Sequence, residues 1–169
     1  MNNTQDAVIT GKKFEDLDGS GNSVAGPGVS SWSIFFYGQN EEGTYEAVTD
    51  ENGNYTQILP PGTYDVCEDG GEGWYQSYPT EATENATQCE GGIGYLITVA
   101  AGSNTNGIDF GNYREGSIAG VKWYDEDTDG VLDENEEGLS NWTINLYRNN
   151  DFITSVISFN IILTANYFS

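Results

Sequence analysis

The sequence predicts an all-β protein: an antiparallel Greek-key β-sandwich of about seven strands, followed by an incomplete second sandwich unit. Three observations carry this. Twenty-two glycines, eleven tyrosines and four tryptophans, with many Thr and Asn, favour strands and turns, and no window has helical periodicity. Apolar and polar residues alternate in short runs, with turn signals roughly every 8 to 12 residues. Finally, residues 9–37 (ITGKKFEDLDGSGN to GVSSWSIFFY) recur at 118–147 (IAGVKWYDEDTDGVL to GLSNWTINLY). A repeat of about 109 residues is domain-sized, so it marks tandem domains rather than a solenoid. The organisation is an extension at 1–8, one whole unit at 9–113, a linker at 114–117, the start of a second unit at 118–150 and a tail at 151–169.

Residues 7–14 read as the first strand, with Ile9 on one face and Lys12 and Phe14 on the other. Residues 29–37 form the second, where Trp32, Ile34 and Phe36 share a face and match Trp142, Ile144 and Leu146 of the second copy. Segments 44–49 and 54–59 flank DENGN, whose Asn52-Gly53 is a strong hairpin signal. Pro60-Pro61-Gly62 ends that pair, and 63–68 (TYDVCE) starts another strand. A long acidic loop at 69–92 encloses Trp74, Tyr75 and Tyr78, and strands at 95–99 and 108–113 complete the unit.

Between the first two strands of the second copy lies 125–136, DEDTDGVLDENE. Numbered as a twelve-residue Ca²⁺ loop, it sets Asp125, Asp127, Asp129, Asp133 and Glu136 at positions 1, 3, 5, 9 and 12. Gly130 falls at the tight-turn position 6 and the Val131 carbonyl at 7. Calcium takes hard oxygens at flexible geometry, and a final carboxylate can bind through both of its oxygens. Strand-like segments flank this loop where an EF-hand has helices, so it reads as an EF-hand-type loop grafted onto a β-hairpin. The earlier copy, 16–22, keeps Asp16, Asp18, Ser20 and Asn22 at positions 1, 3, 5 and 7, but Val24 and Pro27 occupy 9 and 12. With fewer carboxylates it is either a weaker calcium site or a plain Gly-rich turn.

Twenty-seven acidic residues against five basic ones give a net charge of −22, which repels nucleic acid and anionic membranes and attracts cations. Without histidine or a nucleophile-base constellation, no enzymatic site is expected. Cys67 and Cys89 are either a disulfide formed in an oxidising compartment or two buried thiols. Trp74, Tyr75 and Tyr78 either cap one end of the sandwich or offer a carbohydrate- or peptide-binding surface. The tail, with Asp151 as its sole charged residue, has its apolar residues interrupted too often for a membrane span and is expected to be poorly ordered. The opening NNTQDA lacks a basic start and an apolar core, so no signal peptide is expected within these residues.

Taken together, GKKFEDLDGSGN, GVSSWSIFFY, TDENGNYTQILPPGTYDVCE, GWYQSYP and IDFGNYREGSIAGVKWYDEDTDG resemble the B-type repeat domains of SD-repeat bacterial surface proteins, which are similar to collagen-adhesin B-type, transthyretin-like sandwiches. The resemblance implies tandem neighbouring repeats, calcium in the DxDxDG loops, an extracellular or cell-surface setting, and a role as stalk or spacer for an adhesive head. Some relatives in the wider group join a Lys to an Asn beside a buried, neutral Glu. Lys12 or Lys13, Asn112 and Glu68 are candidates here, but the position two before the loop Asp, where such relatives carry the lysine, is Phe14, and Trp123 in the second copy. These residues are therefore expected to be ordinary strand and surface positions.

Overall fold

The computed structural model describes residues 5–21, 26–40, 43–148, 150–158 and 163–167, the last segment as backbone alone. The chain divides into two compact units, Met1–Arg114 and Glu115–Ser169. Among the described residues every regular element is a strand.

Unit 1 contains β1 (Ala7–Glu15), β2 (Ser33–Gly38), β3 (Thr44–Val48), β4 (Asn54–Leu59), β5 (Gly62–Glu68), β6 (Trp74–Tyr78), β7 (Ala86–Cys89), β8 (Gly92–Val99), β9 (Asn104–Thr105) and β10 (Phe110–Arg114). One sheet runs β4-β1-β10-β6, with β9 beside β1; the other runs β3-β2-β5-β8-β7. Pairing is antiparallel except that β1 meets β10 and β9 in parallel, so the opening and closing strands of the unit lie side by side. Inward-facing residues of both sheets, among them Ile9, Ile34, Phe36, Leu59, Tyr64, Val66, Tyr95 and Phe110, form one buried cluster. Burying such side chains contributes roughly 1.5–3 kcal/mol each.

The strand count exceeds the expected seven or so because the stretch read as a long loop at 69–92 carries two short edge strands, β6 and β7, and because two residues after the turn that follows β8 form β9. Each pairs on one side only, β6 with β10 and β7 with β8, so neither needs the long alternation by which central strands are recognised.

Cys67 on β5 and Cys89 at the end of β7 form a disulfide that spans β8. Gly94 of β8 lies beneath it, where a Cβ would run into the Val66 carbonyl and the Cys89 sulfur. The chain-entropy model assigns a bond across 22 residues about 3 kcal/mol. A C67S/C89S chain should lose about that much in urea unfolding; a loss well under about 1 kcal/mol would show that β5 and β7 are held without it.

Unit 2 contains β11 (Gly116–Gly120), β12 (Thr143–Arg148), β13 (Asp151–Ile157) and β14 (Leu163–Tyr167). β11 pairs antiparallel with β14, and β12 with β13. Where the sequence led us to expect poor order, the described part of the tail forms strands. The registers explain how. Ile118 faces Ala165 as Ile9 faces Gln57, and Ile144 faces Val156 as Ile34 faces Ala47. Unit 2 thus repeats the pairing of the first four strands of unit 1, a relation hidden because β13 and β14 resemble β3 and β4 in position and hardly at all in sequence.

Candidate functional site

Residues 125–136 fold into a loop whose own backbone turns the carboxylates inward. The Gly130 amide donates to Asp125 Oδ2 at 3.0 Å, the Asp129 amide to Asp127 Oδ1 at 3.2 Å, and the Val131 amide to Asp129 Oδ1 at 2.7 Å. Glu136 reaches back across the loop, accepting from Glu126 N at 2.9 Å and from Asp133 N at 3.2 Å. Gly130 sits at φ 79°, a conformation that costs glycine little. Asp125, Asp127 and Glu136 each place an oxygen within 4.8 Å of the others, and Asp127, Asp129 and Asp133 do the same. All five acidic residues read from the spacing are therefore neighbours.

The 16–22 loop shares the opening of this geometry. The Gly21 amide donates to Asp16 Oδ2 at 2.8 Å and the Ser20 amide to Asp18 Oδ1 at 3.1 Å, counterparts of the Gly130 and Asp129 bonds. Hydrogen bonds from Ser20 hold the Asp18 carboxyl below its ordinary range. Asn22 lies outside the described residues.

A second cluster corrects the expectation for Lys13, Asn112 and Glu68, which are neither separate nor on the surface. Lys13 is fully buried and Asn112 is 3% exposed. Lys13 Nζ donates to Asn112 Oδ1 at 2.5 Å and lies 3.0 Å from Glu68 Oε2, whose side chain is 8% exposed. β1 supplies the lysine and its parallel neighbour β10 the asparagine, while β5 of the facing sheet supplies the glutamate. The Trp32 ring lies over the amine, 4.6 Å from Nζ to the centroid. The signal was strand parity: Ala7 and Ile9 point inward, so Gly11 and Lys13 do too, and the position two before Asp16 was the wrong place to look. Lys12 stays outside this cluster; its amine reaches the Gly26 carbonyl at 3.4 Å.

Burial sets the chemistry of the cluster. Desolvation lowers the Lys13 pKa to about 8, against the upward pull of Glu68. Desolvation likewise raises the pKa of Glu68, against the pull of Lys13, Asn112 and Gln76. Both shifts favour the uncharged forms: an amine with a free lone pair beside a carboxylic acid able to donate a proton. The linkage sign follows. In an Asn112→Ala chain, where the amine stays free, the unfolded state binds the Lys13 proton between about pH 8 and its ordinary 10.4 while the folded state has released it, so stability increases with pH there. Urea unfolding should show a rise from pH 8 to pH 9 of no more than about 1.4 kcal/mol; a fall would contradict this ionisation.

The aromatic trio does not form one face. Trp74 is half-buried, edge-on to Trp32 at 5.6 Å and capped by Arg114 at 4.7 Å. Tyr75, 40% exposed, stacks on Tyr113 at 5.5 Å, and Tyr78 packs toward the core against Phe14. Alternation along β6 is what separates Trp74 from Tyr75.

No protein-family model matches the chain. The chain is 27% identical over 149 residues to serine-aspartate repeat-containing protein D of Staphylococcus aureus (strain Newman), a match covering 86% of this chain and 11% of that protein. Among solved structures it is similar to the TIE protein of Bacillus anthracis, with a TM-score of 0.47 and 13% identity over 96% of this chain and 26% of that one. It is also similar to the full-length major pilin SpaD of Corynebacterium diphtheriae, with a TM-score of 0.42 and 16% identity over 70% and 34% of the two chains. The chain is similar to a stretch of the serine-aspartate repeat surface proteins, in keeping with the B-type repeat that its motifs resemble, and it spans about a ninth of the length of the curated proteins it matches.

Proposed function

We propose that this chain is a structural spacer of an extracellular, cell-surface protein, an adhesin-like stalk built from neighbouring repeats that carries tension without unfolding. The observation that carries this reading is the buried contact of Lys13, Asn112 and Glu68 at the junction of the first and last strands of unit 1. Uncharged Lys13 Nζ attacks Cγ of Asn112, forming the new C–N bond. Glu68 delivers its proton toward the amide and takes up the one released by the amine. The Cγ–Nδ2 bond then breaks and ammonia leaves, with no change of oxidation state. The product is an isopeptide bond made once within the chain, so the reaction is a maturation step and not enzymatic turnover.

Its consequence is mechanical. Force entering at β1 passes directly to β10, and the 99 residues of sequence separation between the joined positions never bear it. Pulling the chain by its ends should therefore lack the extension of about 260 Å that this stretch releases outside the loop closed by Cys67–Cys89, whereas Asn112→Ala should show it. The same extension in both chains would remove the tension-carrying role.

The second part of the proposal is a bound Ca²⁺. The five carboxylates of the 125–136 loop fit a hard divalent cation: they are acidic, oxygen-only and gathered by backbone bonds rather than by basic partners. Asp125, Asp127, Asp129, Asp133, Glu136 and the Val131 carbonyl would hold the ion, which would supply the charge that cancels their mutual repulsion. Asp16, Asp18, Ser20 and Asn22 would form the weaker site. Recognition of a carbohydrate or peptide by Trp74, Tyr75 and Tyr78 has less support, because the three rings lie on different surfaces.

A further inference from the structure

Asparagine followed by glycine occurs twice in the chain, at Asn52-Gly53 and Asn106-Gly107, and the two pairs lie in different surroundings. The dipeptide is reactive for a plain reason. With no side chain on the glycine to obstruct it, the glycine nitrogen can reach the carboxamide carbon of the asparagine and close a ring. Closure needs that nitrogen unbonded and the backbone free to turn.

Neither condition holds at Asn52-Gly53. The Gly53 amide donates to the Asp50 carbonyl at 2.9 Å, and the Gly53 carbonyl accepts from Lys13 N at 2.7 Å. The Asn52 amide donates to Asp50 Oδ1 at 2.8 Å, while the Asn52 carbonyl packs so closely on Gly28 that a Cβ there would run into it. This turn cannot rotate without breaking those contacts.

Both conditions hold at Asn106-Gly107. The two residues are exposed and lie between β9 and β10, outside either strand. Among the described residues the Gly107 amide makes no hydrogen bond, and contact with β1 resumes only at Ile108, whose amide donates to the Thr10 carbonyl at 3.3 Å. A Cβ on Gly107 would meet nothing within 4 Å, and both residues line an open groove of ≈ 620 Å³ that admits water. Thr10 Oγ1 donates to Asn106 Oδ1 at 2.9 Å, which draws electron density from the carbon to be attacked.

We propose that Asn106 is a self-modification site of unit 1, converted without any enzyme to aspartate or isoaspartate while Asn52 stays an amide. Gly107 N gives its proton to hydroxide and bonds to Asn106 Cγ; the Cγ–Nδ2 bond breaks, and ammonia leaves with a proton from water. A second water opens the ring, so that a carboxyl group replaces the carboxamide with no change of oxidation state. Where the ring opens at the Asn106 backbone carbonyl, the chain runs on through Cβ and Cγ and is one carbon longer. That carbon enters between β9 and β10, which both pair with β1, just before Ile108, whose carbonyl packs on Gly11 and accepts from Tyr55 Oη. The two-residue β9 is the contact that yields. Here the nucleophile is backbone and water restores an acid, so the inference stands apart from the crosslinking read at Asn112.

The test keeps the freshly purified, full-length chain in mildly alkaline buffer and follows each asparagine by peptide mapping that resolves aspartate from isoaspartate. Asn106 is expected to convert about tenfold faster than Asn52, or more. In guanidinium, where the turn that holds Asn52 is gone, the two should convert at similar rates. Asn106→Gln, which would have to close a larger ring, should keep its amide in the folded chain. Folded chains carrying isoaspartate should exchange the Asn104 and Thr105 amides faster than fresh ones. Conversion at Asn52 as fast as at Asn106 in the folded chain, an Asn106 that keeps its amide, or a preference that persists in guanidinium overturns the proposal; unchanged exchange at Asn104 and Thr105 overturns the release of β9.

Discussion

Replacing Asn112 with alanine is expected to lower the melting temperature of unit 1 by on the order of 20 °C. The size follows from topology. A covalent link between positions separated by 99 residues removes chain entropy from the unfolded state equivalent to about 4–5 kcal/mol, by the reasoning used for disulfides. For a domain of about 100 residues, each kcal/mol moves the midpoint by roughly 4 °C or more. Glu68→Gln separates this from lost packing. It keeps the shape of the side chain, removes the proton-transferring acid and should leave the bond unmade, so its midpoint should fall by a comparable amount. If Asn112→Ala and Glu68→Gln each move the midpoint by only a few degrees, no covalent brace is present.

Calcium is expected to produce the second large effect, confined to unit 2. The carboxylates of Asp125, Asp127, Asp129, Asp133 and Glu136 repel one another within a few ångströms, and like charges so placed weaken the loop that joins β11 to β12, strands of two different sheets and not the hairpin the sequence suggested. A bound ion reverses that term. At a concentration a hundredfold above Kd it adds about 2.7 kcal/mol to the unit that binds it. Melting followed through exposed Trp142 should therefore rise with millimolar calcium and fall with chelator, and an Asp125→Ala/Asp127→Ala chain should respond to neither. The 16–22 loop, with two carboxylates, should contribute a much weaker second binding event in calorimetry. A midpoint unmoved by both additions would mean that the acidic loop is simply hydrated.

Much of this was legible in the residues. Alternation placed the central strands, Asn52-Gly53 placed a hairpin whose Gly53 has φ 78°, and the repeat placed the two acidic loops at matching positions. Those features are local, and local chemistry decides them. The Lys13 cluster is different. Its members come from three strands in two sheets, and their meeting depends on β1 lying parallel to β10 and on β5 facing both across the core. Parity alone placed Lys13 inward; nothing within a few residues of it indicated the partner that would satisfy it. The strand β6 escaped notice for a related reason, since it is stabilised by the distant β10 alone, and β7 because it is only four residues long. In the tail, low charge and missing turn residues suggested a segment without a fold, while its described strands pair with β12 and β11 as β3 and β4 pair with β2 and β1.

Tandem mass spectrometry of the purified, full-length chain tests the central claim most directly. The account predicts an intact mass lower than that of the sequence by one ammonia, beyond the two hydrogens lost to the Cys67–Cys89 bond, and a branched fragment joining Lys13 to Asn112. An intact mass that retains the ammonia, with Lys13 and Asn112 recovered on separate linear fragments, would contradict it.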